Sequence, residues 1–243
     1  MGLLDYFKKD ASDVRKRERC RGRLTNMYYQ QADRMAAADQ AYDLALHGDE
    51  EAVNVLLVRF EHLCPSTTVD REEKEHVVNL LVALGEKAVP AIEAYCLTLR
   101  KPIYWPVRVL EDLWPRERVD AFLADVLEKT DNDYWRDPEK KIGLLQMVSA
   151  IPGERITRGL VPFVEDQLEE VRFKAVDALA QRSADVRDVL LPRLVSEEES
   201  GRIIARLADA FADQAWPVDG VEQALASRLP RGYRVTNGVV VRS

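Results

Sequence analysis

The chain has 243 residues, 47% of them hydrophobic and only 7% aromatic, with a formal net charge of −7. That length suits one large domain or one array of small units. The acidic balance argues against nonspecific nucleic-acid binding, the odd, scattered Cys20, Cys64 and Cys96 argue against a disulfide framework, and no run of about 18 apolar residues provides a membrane span.

Residues 1–24 carry eight basic and four acidic side chains, a net +4 that leaves −11 for the rest. This is the sharpest charge asymmetry in the chain. It fits a solvated cap helix that packs Leu3, Leu4 and Phe7 on the first repeat or pairs with the acidic remainder, or an arm that touches an anionic surface: a membrane, a nucleic acid or an acidic partner. Leu3, Leu4, Tyr6 and Phe7 are too short an apolar patch for a secretory signal, and Tyr6 stands where a myristoylation motif needs Ser or Thr. The expected compartment is cytoplasmic.

From residue 32 onward, apolar residues recur at helical spacing in pairs of helices. The first pair is expected at about 32–46 and 50–63, with His47-Gly48-Asp49 as the turn and Cys64 to Thr68 as the next loop. The second runs from Arg71 to Leu84 and from Lys87 to Leu99. The third starts near Trp105, stops at Trp114-Pro115, and resumes over Glu117–Glu128, because a residue before proline disfavours helix. A polar link, Lys129 to Pro138, carries Tyr134 and Trp135. The fourth pair, Glu139–Ile151 and Glu154–Gln167, turns at Pro152-Gly153. In the fifth, Glu170–Val195, Ser183 or Asp185 is a candidate N-cap, and Pro192 should kink the second helix. The sixth is Arg202–Ala212 and Val218–Leu229. First helices end at Leu84, Leu113, Ile151, Leu179 and Phe211, a spacing near 30 residues broken once by the aromatic link.

The fifth unit resembles a HEAT repeat, on Val171-Arg172, Ala175-Val176, Ala178-Leu179, Asp185, Arg187, Val189 and Leu194. A second copy is similar: Val77, Val78, Leu80, Leu81, Ala83, Leu84-Gly85, then Ala88 to Ile92. The resemblance implies an all-α, right-handed solenoid of about six helix pairs over residues 32–229, preceded by a basic arm or cap over 1–31. Residues 230–243 end the chain as a β-hairpin, read from β-forming residues around Asn237-Gly238. A lone hairpin is marginal in water and should pack on the last helix or pair with a partner.

No phosphate loop, nucleophile elbow, HExxH or CxxC is present, so neither catalytic residues, a metal nor a cofactor is expected. Two constellations remain. One is aromatic: Tyr104, Trp105, Trp114, Tyr134 and Trp135 beside Arg136, residue types that anchor interfaces or fill an irregular junction between repeats. The other is arginine near the starts of second helices: Arg116, Arg118, Arg155, Arg158 and Arg187, with Arg193 further along. The resemblance places second helices on a concave face, where arginines make a stripe for acidic peptides or phosphates, or else a ladder tying neighbouring repeats. The leading expectation is a non-enzymatic scaffold for another protein. The alternatives are a helical-repeat enzyme or its subunit, and a membrane-peripheral adaptor. For the enzyme, the resemblance extends to alkyl-purine DNA glycosylases, with Trp105, Asp112 and Trp114 as lesion-holding residues, and to bilin lyases.

Overall fold

The computed structural model describes residues 3–98, 101–134, 136–182 and 186–243, leaving aside the side chains of 3–11, 196 and 197. Among these the chain is mainly helical, with thirteen α-helices and one two-stranded antiparallel hairpin. No described helix is long and apolar enough to cross a membrane. Two compact units, Met1–Val119 and Asp120–Ser243, each have their own core.

In the first unit, α1 (Leu3–Thr25) turns Cys20 and Leu24 inward, and its Arg17 pairs with Asp49 at 2.5 Å. The basic segment thus forms a helix that packs on α2 (Gln31–Leu46) and α3 (Glu51–Leu57). Ala37, Ala38, Ala41 and Ala45 of α2 are buried, and their small size lets neighbouring helices approach closely. α2 packs on α4 (Thr67–Leu84), α4 on α6 (Tyr104–Leu113), and α3 on α5 (Val89–Leu97). Two boundaries differ from expectation. α4 begins four residues before Arg71, because the Ser66 hydroxyl accepts from the Val69 amide and caps a helix start in what reads as loop. α3 gives way at Leu57 to a 3-10 turn, Val58–Glu61, where continuous helix was expected to Leu63. Gly85, at φ 61°, ends α4 as expected.

α7 (Arg116–Lys129) contains the division between the units. In the second unit, α8 (Glu139–Val148) packs on α10 (Glu169–Ala180), and α10 on α12 (Gly201–Gln214). Between them lie α9 (Glu154–Leu160) with a 3-10 turn Val161–Glu165, and α11 (Arg187–Pro192). Pro192 closes α11, and the chain continues as a π turn, Arg193–Glu197: proline has no N–H to extend the i→i−4 ladder. The proposed caps Ser183 and Asp185 lie outside the described residues.

The expected helix Val218–Leu229 is helical only over α13 (Glu222–Ala226). Its start is held in extended pairing instead: the Val218 amide donates to Gly238 O at 2.7 Å, and Pro217 bridges to Val239. Strands β1 (Tyr233–Thr236) and β2 (Val239–Arg242) join through Asn237 (φ 51°) and Gly238 (φ 73°), the two positive-φ positions of a type I′ turn. The hairpin touches α13 but is tied chiefly to α12, through Tyr233 Oη to Asp209 at 2.5 Å and Arg242 to Asp209 and Asp213 at 2.7 and 2.6 Å.

Candidate functional site: an aromatic loop edge on a buried ion network

Five charged residues meet inside the first unit. Arg34, Arg59, Glu73 and Lys74 are each at most 4% exposed, and Asp70 is nearly buried. Glu73 accepts from Arg34 Nε and Nη2 (3.0 and 2.6 Å) and from Arg59 Nε (2.8 Å). Asp70 accepts from Arg59 Nη2 at 2.7 Å, from Lys74 Nζ at 2.8 Å and from the Cys64 amide at 2.9 Å. Burial pushes the Asp70 carboxyl upward, but the hydrogen bonds from Lys74 and Arg59 outweigh it and hold the group below its ordinary value. The Glu73 hydrogen bonds hold Arg34 more firmly protonated, whereas burial pushes the Cys64 thiol up. Around Arg34, Arg59 and Glu73 the packing leaves no volume for a water molecule. Mutual pairing is therefore what makes burial of these charges tolerable.

The network's remaining donors fix loops. Arg34 Nη1 donates to Met27 O at 3.3 Å and to Tyr29 O; Arg59 Nη1 donates to His62 O at 2.7 Å. Cys64 Sγ lies 3.2 Å from Met27 Sδ, so loop 26–30 sits beside loop 62–66. The start of α6 joins through Trp105, whose ring stacks on Phe60 (6.4 Å, 11°), and through the ion pair of Lys101, just before it, with Glu61 at 2.9 Å. The two loops and the first residue of α6 carry exposed apolar side chains: Tyr28 (100%), Tyr29 (45%), Leu63 (71%) and Tyr104 (54%). Tyr104 packs edge-on against half-buried Trp105, and the Arg108 guanidinium lies 5.5 Å from the Trp105 ring. Aromatics beside a cation, on main chain pinned from below, suit a recognition surface: little backbone entropy remains to be lost on binding.

Of the aromatic set read from sequence, Tyr104, Trp105 and Trp114 belong to the first unit, Tyr134 and Arg136 to the second. Tyr104 and Trp105 lie on the edge just described. Trp114 is buried, with the Arg118 guanidinium 3.8 Å above its ring, so it fills the core at that position. Tyr134 and Arg136 are exposed; Trp135 lies outside the described residues. Asp112, grouped with Trp105 and Trp114 in the glycosylase-like reading, is exposed.

The arginines of the second helices have acidic neighbours. Arg155 binds Asp125 at 2.5 Å and Glu128 at 2.7 Å, one layer back on α7. Arg118 approaches Glu86 at 3.9 Å, Arg158 approaches Glu154 at 3.6 Å, and Arg116 approaches Glu111 at 4.0 Å. Arg187 pairs with Asp188 and donates to Pro217 O at 2.9 Å; Arg193 donates to Glu198 at 3.0 Å. Their positive charge is largely compensated locally.

The acid runs Glu72-Glu73 and Glu197-Glu198-Glu199 read from the sequence as solvated helix starts, but Glu73 and Glu198 are buried against arginines. Sequence reasoning passed over Arg34, Arg59, Asp70 and Lys74, and over Tyr28, Tyr29 and Leu63. A signal existed. Arg34 precedes Ala37, Ala38 and Ala41 on their stripe, and Glu73-Lys74 precede Val77-Val78 by one turn. Charges placed on an apolar stripe imply buried partners. Compared with known proteins, the chain matches no family model, no curated protein and no solved structure.

Proposed function

We propose that this chain is a non-enzymatic, HEAT-like helical-repeat scaffold that binds another protein through the aromatic loop edge of its first unit. A recurring tie supports the repeat reading. Near the start of three first helices, a cation donates back to carbonyls of the preceding loop and across to an acid further along. Arg34 joins Met27 O and Tyr29 O to Glu73; Lys141 joins Asp133 O (2.5 Å) to Asp166 (2.6 Å); Arg172 joins Asp166 O (2.8 Å) to Glu198 (3.0 Å). Stacking of α2 on α4 on α6, and of α8 on α10 on α12, fits the neighbour-to-neighbour packing of a repeat array.

The observation that carries the function is the exposure of Tyr28, Tyr29, Leu63 and Tyr104 on two adjacent, internally pinned loops and the start of α6. A photo-crosslinking amino acid placed at position 28 or 104 should capture the same partner from native extract, and placed at position 155 it should not. The variant Tyr28→Ser/Tyr104→Ser should fold normally and lose that adduct. Capture at position 155 alone would move the site to the arginine ladder and end the aromatic-edge reading.

A second reading rests on α1. Arg15, Arg19 and Arg23 follow one another at i,i+4 spacing, and among the described residues none has an acidic partner. Such a stripe suits anionic lipid. Flotation with phosphatidylserine vesicles, lost in Arg15→Glu/Arg19→Glu, would favour it; no flotation at low salt would remove it.

A further inference from the structure

The C-terminal hairpin has two unlike edges. The outer edge of β2 is occupied: Val218 donates to Gly238 O, and Pro217 bridges to Val239. The outer edge of β1 is not. Register pairs Tyr233 with Arg242, Arg234 with Val241, Val235 with Val240 and Thr236 with Val239, and the Ser243 amide donates to Gly232 O at 2.7 Å. Main-chain bonding alternates along an antiparallel pair. Gly232, Arg234 and Thr236 therefore bond inward to β2, and Tyr233 and Val235 point their peptide groups outward. The Tyr233 amide turns back to Pro230 O. Among the described residues, Val235 N–H, Val235 C=O and Tyr233 C=O remain without a main-chain partner.

This edge opens onto a groove of about 530 Å3. Tyr233, Arg234 and Val235 form one wall. Glu222, Gln223 and Ala226 of α13, with Leu229 after it, form the other. A strand edge facing a helix across a gap is the geometry in which an extended segment adds to a sheet, its backbone bonding the edge and its alternate side chains meeting the helix. Bare edges are otherwise covered, bulged or blocked by charge. On the edge itself only Arg234 is charged. It is exposed, and neither it nor the neighbouring Arg231 has an acidic partner among the described residues. A cation directly across from an incoming strand favours an acid on that strand.

We propose that the groove between β1 and α13 binds an extended peptide segment of another protein, which adds antiparallel to β1 through Val235 and places an acidic residue opposite Arg234. A small apolar residue beside that acid contacts Ala226 and Leu229. This site is separate from the aromatic edge of the first unit.

The probe is a fluorescein-labelled octapeptide of alternating valine and glutamate, titrated by fluorescence anisotropy. Two control peptides accompany it: the lysine counterpart, and one with a central valine replaced by proline. The glutamate peptide should bind about tenfold or more tightly than either control. Val235→Pro removes the outward N–H while leaving the β1–β2 ladder its donors, and Ala226→Trp fills the groove from the helix side without touching the hairpin. Each variant should lose about tenfold in affinity at an unchanged circular-dichroism spectrum, and Arg234→Glu should reverse the preference toward the lysine peptide. Equal binding of the glutamate and proline peptides would overturn the proposal. So would wild-type affinity in Ala226→Trp, which tests the groove even where Val235→Pro loosens the hairpin.

Discussion

The two units bury charge in different ways. In the second, each tie serves one layer: Lys141 with Asp166, and then Arg172 and Arg193 with Glu198. Glu198 takes two arginines, as Glu73 does in the first unit, but in the first unit the side-chain ion pairs run on to a second acid. Glu73 takes both Arg34 and Arg59, and Arg59 passes the connection to Asp70 and Lys74. A serial arrangement lets one layer fail alone. A continuous side-chain network makes loops 26–30 and 62–66, and the helices beneath them, depend on Glu73. The exposed tyrosines stand over the shared network, so the contrast bears on where a rigid recognition surface can be built.

The largest effect should follow removal of the shared charge. Glu73→Gln keeps the shape but leaves Arg34 and Arg59 buried against a neutral amide. The expected loss is about 3–5 kcal/mol, the range for breaking a buried ion pair, read from amide exchange in α2 and α4. α10 and α12 should keep their protection. A loss below about 1 kcal/mol would show that water or rearrangement compensates the arginines, and the contrast between units would collapse.

Next comes Lys141→Met. Both members of this pair are fully buried, and Asp166 would be left without its cation. The cost should be about 3 kcal/mol, confined to amide protection in α8 and α10. Adding Asp166→Asn should recover most of it, because asparagine retains the acceptor used by the Leu168 amide at 2.9 Å. A double-mutant cycle reads the coupling directly. Independent, additive losses would mean that the pair is not an isolated tie.

How much of this was legible depended on the range of the interaction. Val77, Val78 and Leu81, or Val171, Ala175 and Leu179, announce helices because a stripe is a local pattern. Asn237-Gly238 announces its turn for the same reason: both residues accept positive φ, and both show it. The start of α4 was missed at Ser66-Thr67-Thr68, where weak helix formers hid an N-cap. The loss of helix after Val218 was invisible, because its amide bonds Gly238, twenty positions on. The aromatic edge was half legible. Tyr104 and Trp105 were read as anchors or as fillers of an irregular junction, and their partner Phe60 lies more than 40 positions earlier. The network that pins the edge joins Arg34 to Glu73 over 39 positions, and only its oddity, charges on apolar stripes, shows in the sequence.

Acid should weaken the second unit in a graded way. Burial raises the Glu198 carboxyl, but hydrogen bonds from Arg172, from the Ser200 amide and from Arg193 outweigh it and bring the group down to about 2. A carboxyl depressed in the folded chain adds stability that is fully present above its ordinary value of 4.5 and is lost as pH falls from there through about 2. Urea midpoints of the second unit should therefore fall with pH below 4.5. Glu198→Gln should lower the midpoint at pH 7 and flatten the acid limb. An unchanged acid slope in that variant would assign the limb to other carboxylates.

The smallest effect should come from the exposed ladder, and it tests the comparison at its weak end. Arg155 holds Asp125 and Glu128 at shorter distances than several buried pairs, yet all three side chains are 44–51% exposed. Water screens such pairs, and ordering a long arginine side chain offsets the gain, so Arg155→Ala should cost little or nothing. The urea midpoint of the second unit should hardly move, and raising salt should erase the difference from wild type. Should Arg155→Ala instead cost as much as Lys141→Met, then alignment of the charges, and not their burial, holds the layers together. The ladder read from the sequence would then be the principal tie of the second unit.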